Sequence, residues 1–378
     1  MKKIGIMSMQ RIYNYGSFLQ AYGLKKLIET IDNDISVTFV DYKPGKPLVK
    51  TDIKEPTGAK RVLYKLKEYN DVDSSLKNKI KFFNHKRTYA KRFFPILEIT
   101  NDRKDSTGLD VLVIGSDEVF NCVQSNTNVG YSGDLFGRNS KAKKVISYAG
   151  SFGNTTLKKI EAYGVRDELM NDFSKFKAVS VRDNNSFQIV KNLGVKSPVL
   201  NVDPVLAYDY MNLESQIPDN RLYQEKYMIV YGYSGRLSKE ENEVLKQYAK
   251  EHSLKILCFG GVQGCCDEFI DCTPFELLAY FRDAESIVTD TFHGTIFSII
   301  NKKSFATIIR KSVGNAYGNE EKLSFLLDLF GISPQRIDTV NSSKLKEVLD
   351  NKIDYKLVFD ELDNRRKDTK EYLKASIK

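Results

Sequence analysis

A polar turn carries the side chain of this sequence that is best suited to acid–base chemistry. Residues 286–300 (SIVTDTFHGTIFSII) begin with apolar and β-branched residues typical of a buried strand and end with isoleucines at helical spacing. Asp290 is a residue type that caps helices, Gly294 lets backbone approach closely, and His293 falls in the first helical turn beside amides without helical partners. Because imidazole exchanges protons near neutral pH, this turn predicts an anion site with an acid or base built in. A histidine that only caps or packs fits the same pattern.

Similar polar turns follow predicted strands in the first half of the chain. Apolar runs at 3–9, 111–114, 145–148 and 178–181 each end in small or polar residues. The candidate residues in these turns are Asn14, Ser116, Asp117, Ser151 and Arg182. Since the carboxyl ends of parallel strands share one edge of the sheet, where ligands bind in open α/β sheets, we expect these side chains to lie close together.

Three charged candidates each have a chemical and a structural interpretation. Arg182 can clamp a carboxylate or phosphate with two parallel hydrogen bonds, or it can form a structural ion pair with Asp183 or Asp203. Asp117 can accept a proton from a hydroxyl or hold that hydroxyl, or it can cap a helix. Arg310, which ends the last predicted strand of the second half, is a further candidate anion ligand.

The order of the predicted elements indicates an α/β protein with two Rossmann-like, parallel-sheet domains. A strand at 3–9, a helix at 18–28 and a strand at 35–42 form a βαβ start, which implies a parallel sheet. A polar linker at 209–226 precedes a second α/β half that begins at 227. The predicted domains are residues 1–215 with a helical insertion at about 43–108, residues 216–338, and the C-terminal helices of residues 339–378.

Length and charge bound the class of protein. The 378 residues exceed one ordinary core, and 58 Lys+Arg against 49 Asp+Glu give a net charge of +9, which favours anionic partners. The basic runs at 141–144 and 365–367 lack interleaved aromatic residues, so no nucleic-acid partner is predicted. The apolar stretch at 4–9 is too short for a signal peptide and no long apolar span follows, which predicts a cytoplasmic protein with at most peripheral membrane contact.

The sequence lacks the common cofactor and metal motifs. It contains no P-loop, G-x-G-x-x-G, H-E-x-x-H or G-x-S-x-G pattern. Four of the five cysteines lie within 258–272 without C-x-x-C spacing, which predicts free thiols in a reducing compartment. The Asp-x-Asp pairs Asp32/Asp34 and Asp71/Asp73 do not follow buried strands, so we predict no metal site there.

Six motifs resemble, in order, those of the polysaccharide pyruvyl transferase family. They are NYGSFLQAYGLKKLI from residue 14, VIGSDEVFN at 113–121, ISYAGSFG at 146–153, SVRD at 180–183, NVDPVL at 201–206 and DTFHGTIFSI at 290–299. The resemblance runs from residue 4 to about residue 330 and is weakest in 43–108. The family's common form of the VIGSDEVFN motif has Gln where this chain has Glu118.

This resemblance implies a fold and a reaction. The fold is expected to be similar to that of the GT-B glycosyltransferases, with two domains facing across a cleft and the helices of 339–378 packing back on the first domain. The expected donor is phosphoenolpyruvate, with no resident cofactor and no prediction about a divalent metal. The expected acceptor is a pair of hydroxyls on a cell-surface saccharide, free or lipid-linked, and the product is a cyclic pyruvate ketal made in the cytoplasm or at the inner membrane face.

The resemblance also implies roles for individual residues. The family's motif His and Arg fall on His293 and Arg182, and we expect His293 to be an acid or base exposed in the cleft, facing Arg182 as a donor ligand. Asp117 is the second catalytic candidate. The other donor-binding candidates are Ser151, Gly294, Thr295 and Arg310. The acceptor-binding candidates are Asn14, Tyr15, Gly16, Ser116 and Glu118.

Two other functions fit the same elements. A GT-B glycosyltransferase that uses a nucleotide sugar would need a base and ribose pocket in the second half, and no acidic signature follows a glycine-rich turn there. A non-catalytic module that binds sugars or phosphates would keep the same fold.

Overall fold

The structure, a computed structural model, describes residues 1–49, 72–311 and 318–378. In chain order its strands are β1 (Lys2–Met7), β2 (Ile35–Phe39), β3 (Val111–Asp117), β4 (Lys144–Gly150), β5 (Ser180–Val181), β6 (Val199–Leu200), β7 (Tyr227–Tyr231), β8 (Lys255–Phe259), β9 (Glu268–Phe269), β10 (Ser286–Thr289), β11 (Phe305–Ile308) and β12 (Arg336–Ile337). The helices are α1 (Tyr15–Glu29), α2 (Leu76–Phe93), α3 (Leu157–Ala162), α4 (Arg166–Phe173), α5 (Asn184–Asn192), α6 (Pro204–Ala207), α7 (Tyr210–Leu213), α8 (Lys239–Glu251), α9 (Pro274–Asp283), α10 (Phe292–Ile300), α11 (Glu320–Leu329), α12 (Ser342–Asp350) and α13 (Tyr355–Ile377). Short 3-10 helices lie at Phe94–Leu97, Gly133–Phe136 and Ser333–Gln335.

The chain divides into two compact units. The described residues of the first unit lie within Met1–Thr51, Lys91–Tyr210 and Phe359–Lys378. Those of the second unit lie within Asp52–Ala90 and Met211–Val358. Each unit is built around its own sheet.

The first unit contains a six-stranded parallel sheet in the order β2-β1-β3-β4-β5-β6. Its strands form because β1, β3 and β4 are apolar runs whose side chains are buried on both faces. On one face the ring of Phe120 packs against Phe136, Phe152 and Phe173 at centroid distances of 5.1–5.5 Å. Burial of such rings is the largest apolar contribution that single side chains make to a core.

The second unit contains a six-stranded parallel sheet in the order β12-β11-β10-β7-β8-β9. Its central strands β7 and β10 are buried along their whole length. The helices around this sheet begin at well-formed caps, because Ser238 and Thr273 each form a capping box with a glutamate three residues later. These two sheets confirm the predicted α/β class with two Rossmann-like parallel-sheet domains.

Several element boundaries differ from the sequence prediction. Helix α1 begins at Tyr15 rather than at residue 18, since the Asn14 side chain caps it. Around the NVDPVL motif, strand β6 is only two residues long and Asp203 caps helix α6. The part of the predicted helical insertion that spans 50–71 lies outside the described residues.

The division into units differs from the predicted domain ranges at both ends of the second unit. We expected 43–108 to be an insertion in the first domain, but residues 72–90 belong to the second unit. Asn78 accounts for this placement, because its side-chain amide donates to the carbonyls of Cys266 and Asp267. Of the C-terminal helices predicted to pack on the first domain, α12 lies in the second unit, whereas Phe359–Lys378 belongs to the first. There Tyr372 of α13 donates to the carbonyl of Ser147 on β4.

Candidate active-site residues

Each sheet reverses its order of strand addition once, and polar residues collect at both reversal points. In the first sheet, β1 lies between β2 and β3, and in the second sheet β7 lies between β8 and β10. Crevices form beside the carboxyl ends of the strands at such points, since the connecting helices leave to opposite faces. The two candidate ligand sites are therefore the ends of β1 and β3 and the ends of β7 and β10.

In the first unit, the end of β3 presents the carboxylate of Asp117. The backbone of Asp117 is in the left-handed region with φ 72°, and Gly115 before it has φ 133°. A Cβ at Gly115 would lie 2.0 Å from the carbonyl oxygen of Tyr148, so only glycine fits there. Ser17 donates to Asp117 Oδ2 at 2.9 Å, and the Asp117 side chain remains 14% exposed. Asp117 caps no helix and keeps a solvent-accessible carboxylate at the ligand edge of the sheet.

Arg182 connects two carboxylates at this edge. Its Nη1 donates to Asp203 Oδ2 at 2.5 Å and its Nη2 to Asp117 Oδ1 at 3.2 Å, while the side chain is only 2% exposed. Burial alone would lower the pKa of Arg182, but the Asp203 and Asp117 carboxylates raise it above its ordinary value. The structure therefore favours the structural ion pair over the donor clamp, with Asp203 as partner rather than Asp183. Asp183 instead caps α5 by accepting from the amide of Ser186.

The two serines predicted to contact ligands are fully buried. Ser116 Oγ donates to the carbonyl of Ala149 at 2.7 Å, and Ser151 Oγ donates to Asp183 Oδ2 at 2.6 Å. Each hydroxyl therefore ties neighbouring strand ends together. Ser116 as an acceptor ligand and Ser151 as a donor ligand stay predictions, for which this structure offers no exposed atom.

The other acceptor-binding candidates differ in accessibility. Asn14 is half-buried and caps α1, its Oδ1 accepting from the amide of Gly16 at 2.7 Å. Tyr15 and Gly16 are buried in the first turn, where the Tyr15 ring packs against Phe93. Glu118 is half-buried and accepts from Asn121 Nδ2 at 2.9 Å, a contact that a glutamine could also make. Asn14 and Glu118 are thus the accessible polar groups among these candidates.

In the second unit, His293 lies in the first turn of α10. The cap of this helix is Thr291 rather than the predicted Asp290, since Thr291 Oγ1 accepts from the amide of Gly294 at 3.0 Å. The imidazole ring packs beside Phe292 and Phe297 at centroid distances of 5.7 and 6.2 Å. His293 is only 9% exposed, in contrast to the exposed ring that we expected, because the helix starts directly at Phe292 and its aromatic residues enclose the ring.

Gly294 and Thr295 have structural explanations here. A Cβ at Gly294 would lie 2.2 Å from Thr289 Oγ1, so glycine is required for the helix to pack against the end of β10. Thr295 is fully buried, and its hydroxyl contacts the carbonyl of Thr291 and Thr307 Oγ1, both at 3.0 Å. Their predicted role in donor binding remains untested, and the contacts observed are those of packing.

We predict that Gly294→Ala lowers the free energy of unfolding by about 1–3 kcal/mol, the usual cost of overpacking a core. The added methyl would meet Thr289 Oγ1 at 2.2 Å and Thr291 Oγ1 at 2.8 Å. Urea denaturation of Gly294→Ala, Thr289→Ala and the double variant measures this cost. The double variant should lose less than the sum of the single losses, because Thr289→Ala removes the nearest atom. Additive losses would refute the steric explanation.

Arg310 is also engaged within the protein. Its Nη1 and Nη2 donate to the two carboxylate oxygens of Glu241 at 2.7 and 2.9 Å. The hydrogen bonds that Arg310 donates to Glu241 raise the pKa of Arg310, and burial opposes this effect. Arg310 as a donor ligand therefore stays a prediction, and a bound anion would have to compete with Glu241.

The buried side chain of Asp290, which the sequence pattern predicted only as a helix cap, lies beside Gly232 at the end of β7. The Asp290 side chain is only 3% exposed, its Oδ2 accepts from Arg236 at 3.3 Å, and its Oδ1 accepts no hydrogen bond from the described residues. Burial raises the pKa of Asp290, although Arg236 and Arg310 oppose the shift. Arg236 also stacks on Tyr233 at 4.7 Å. The run Gly232 to Arg236 directly follows the apolar strand β7, and this was the sequence signal that could have pointed to this part of the second unit.

Residues 1–49, 72–311 and 318–378 contain neither a metal-binding cluster nor a helix suited to cross a membrane. No group of three or more His, Cys, Asp or Glu side chains there could hold a metal ion. Within the same ranges, no helix combines the length and apolar character needed to cross a membrane.

Several solved structures are similar to this chain. Staphylococcus aureus MnaA, in a co-structure with UDP, has a TM-score of 0.50 at 10% identity, covering 96% of this chain and 90% of that chain. The UDP-GlcNAc 2-epimerase of Methanocaldococcus jannaschii has a TM-score of 0.49 at 13% identity, covering 93% and 94%. MurG of Acinetobacter baumannii scores 0.39 at 14% identity, covering 100% and 99%. At these identities the MnaA similarity shows a shared fold alone.

A family comparison gives the more specific result. No protein with curated annotation matches this sequence. The family model described as polysaccharide pyruvyl transferase matches residues 14–312, a span that includes His293, Arg182 and Asp117. The resemblance inferred from the six motifs is confirmed. The chain therefore belongs to the polysaccharide pyruvyl transferase family, whose members are transferases that modify polysaccharides.

Proposed function

We propose that the protein is a ketal-pyruvyl transferase. It moves pyruvate from phosphoenolpyruvate onto two hydroxyls of a cell-surface polysaccharide or of its lipid-linked precursor, in the cytoplasm or at the inner membrane face. Phosphoenolpyruvate is the co-substrate, with no resident cofactor. The observation that carries the proposal is the family match over residues 14–312, which spans an accessible carboxylate at the ligand edge of one sheet and an imidazole at that of the other.

The reaction needs one acid and one base. Protonation of the donor's methylene carbon makes its C2 cationic, and the first sugar hydroxyl attacks C2 and loses its proton. Phosphate leaves as the second hydroxyl attacks and closes the ketal. The two hydroxyls release two protons. One restores the acid that protonated the methylene carbon, and the other leaves with phosphate. A positioned acid or base is typically worth ~10²–10⁴ in rate.

Each catalytic step is assigned to a residue at a strand end. His293 supplies the proton to the methylene carbon, since imidazole is the side chain that donates most readily near neutral pH. Asp117 accepts the proton of the attacking hydroxyl, because its carboxylate is fixed by Ser17 and Arg182 and is still accessible. Arg182 positions Asp117 by holding its Oδ1.

Asp117→Asn should lower turnover about 10-fold to 10²-fold with phosphoenolpyruvate binding retained, because the amide cannot accept the hydroxyl proton. This expected loss of turnover is smaller than the ~10²–10⁴-fold contribution typical of a general base, since the attacked carbon is already cationic. Initial rates at saturating donor measure the effect. Ser17→Ala is the matched control, as it removes one hydrogen bond to the carboxylate and keeps the base. Equal rates for wild type and Asp117→Asn would remove Asp117 from the chemistry.

Product analysis in D2O tests the proposed reaction. The protein is incubated with phosphoenolpyruvate, a nucleotide sugar and a panel of saccharides that carry free hydroxyl pairs. The proposal predicts a ketal whose methyl group carries one solvent deuterium, with one phosphate released per ketal. Transfer of a sugar from a nucleotide sugar, without consumption of phosphoenolpyruvate, would instead establish the glycosyltransferase alternative, which the UDP in the MnaA co-structure makes the main competitor. Ligand binding without any product would leave the non-catalytic module.

A further inference from the structure

Helix α2 carries a run of cations that no acidic residue interrupts. Between Leu76 and Ala90, the part of the helix that lies in the second unit, the sequence LKNKIKFFNHKRTYA contains five Lys or Arg and no Asp or Glu. Charges of one sign along a helix add up to a positive potential over its surface, and such a potential attracts anionic partners.

One face of this helix holds it to the second unit. The residues of this face are three or four positions apart and only 1–3% exposed, and they are Asn78, Phe82, His85 and Tyr89. The ring of Phe82 packs against Phe269 of β9 at a centroid distance of 5.4 Å. Because residues at this spacing share one side of a helix, the opposite side of α2 points away from the core.

That opposite side presents apolar and cationic side chains to solvent together. Leu76 is 72% exposed, and Ile80, one turn later, is 52% exposed. Lys77, Asn84 and Arg87 are also exposed, at positions that continue the spacing of three or four residues. These five residues form the outer face of α2. Within the part of the chain that the structure describes, neither Lys77 nor Arg87 forms an ion pair with a carboxylate.

This combination of side chains fits the surface of an anionic membrane. Leu and Ile side chains enter the boundary between headgroups and acyl chains, while Lys and Arg beside them attract anionic headgroups. A groove of a partner protein would instead take apolar anchors over two turns or more of a helix, whereas only Leu76 and Ile80 are apolar on the outer face. Nucleic acid would leave these two side chains without an apolar contact.

We propose that the outer face of α2 binds the surface of an anionic lipid bilayer. Leu76 and Ile80 insert among the headgroups, and Lys77 and Arg87 contact anionic lipids. Binding through this face requires neither phosphoenolpyruvate nor a saccharide, so vesicle binding tests it separately from pyruvyl transfer. A second copy of this chain is the competing occupant.

Flotation of the full chain with vesicles of equal parts phosphatidylglycerol and phosphatidylcholine tests the electrostatic contact. Lys77→Gln/Arg87→Gln removes two cations of the outer face. Lys250→Gln/Lys346→Gln, the matched control, removes two exposed lysines of α8 and α12 in the same unit. We expect binding to weaken at least about tenfold in the first variant, since two cations near an anionic surface together contribute at least that much. The control should bind like wild type.

A second pair of variants tests the apolar contact. Leu76→Gln/Ile80→Gln changes the outer face, whereas Leu213→Gln/Leu357→Gln changes two other side chains of the second unit that are 62% and 64% exposed. Glutamine is a good helix former, so α2 should stay folded. The outer-face variant should bind the same vesicles at least about tenfold more weakly than wild type, because its side chains no longer bury apolar area. The control should again bind like wild type.

Three results would overturn the proposal. The first is wild-type protein that does not float with the anionic vesicles, or that binds vesicles of phosphatidylcholine alone equally well. The second is an equal loss of binding in the outer-face variants and their controls. The third is a wild-type dimer in sedimentation velocity without lipid that Leu76→Gln/Ile80→Gln converts to a monomer, which would assign the outer face to a second copy of this chain.

Discussion

Replacing His293 by alanine should lower turnover by on the order of 10²-fold or more while donor binding is largely retained. The protonation of the donor's methylene carbon creates the cation on which both later steps depend, so its loss affects the whole reaction. Rapid-quench measurement of ketal formation, together with titration of phosphoenolpyruvate, separates the chemical step from binding.

His293→Gln is the matched control for this result. The His293 ring is 9% exposed and packs beside Phe292 and Phe297, so alanine leaves a cavity that glutamine largely fills. Glutamine can donate a hydrogen bond but cannot transfer a proton at neutral pH, so it should restore stability without restoring turnover. Near-normal turnover of His293→Gln would reduce His293 to a positioning residue.

Replacing Arg182 by alanine should lower the free energy of unfolding by about 3–5 kcal/mol, as expected when one partner of a buried ion pair is removed. Asp203, which is fully buried, and Asp117 would then lose their shared cation. For a unit of this size the loss corresponds to a fall in melting temperature of roughly 6–20 °C. Differential scanning calorimetry measures it.

Arg182→Lys should give a smaller loss of stability, since lysine keeps the charge but cannot bond both carboxylates through one planar fork. In the folded variant, phosphoenolpyruvate affinity should match that of wild type. The opposite pattern, an unchanged melting temperature with donor binding weakened at least about tenfold, would return Arg182 to the role of donor clamp.

Strand-end positions could be predicted because they depend on local pattern. Apolar runs that stop at polar residues identified the ends of β3, β5 and β10, and with them Asp117, Arg182 and His293. Pairing across strands could not be predicted in the same way. Arg182 and Asp117 are 65 positions apart, and Arg182 had Asp183 and Asp203 as equally plausible partners until the sheet order fixed which carboxylates lie beside it.

The start of α10 shows a second limit of prediction from the sequence. Asp290 and Thr291 are adjacent and both are good caps, so residue preference alone did not distinguish them. The close packing of Gly294 on Thr289 sets where the helix begins, and this makes Thr291 the cap and leaves Asp290 buried beside Arg236. The low exposure of His293 depends on the same packing, so the sequence pattern could not predict it either.

Domain membership of residues 72–90 depends on contacts that are distant in sequence. Lys81 pairs with Glu268 at 2.6 Å, and His85 Nδ1 lies 2.7 Å from Asp271 Oδ1, so helix α2 is bound to the second unit. The residue spacing within helix α2 does not indicate these partners, which lie about 187 positions further along the chain.

Titration of the wild-type protein with phosphoenolpyruvate tests the central claim most directly, because it requires no knowledge of the acceptor. At 100 times its dissociation constant, phosphoenolpyruvate should raise the free energy of unfolding by about 2.7 kcal/mol and the melting temperature with it. UDP-N-acetylglucosamine at the same concentration should have no such effect. Stabilisation by the nucleotide sugar, with none by phosphoenolpyruvate up to millimolar concentration, would contradict pyruvyl transfer.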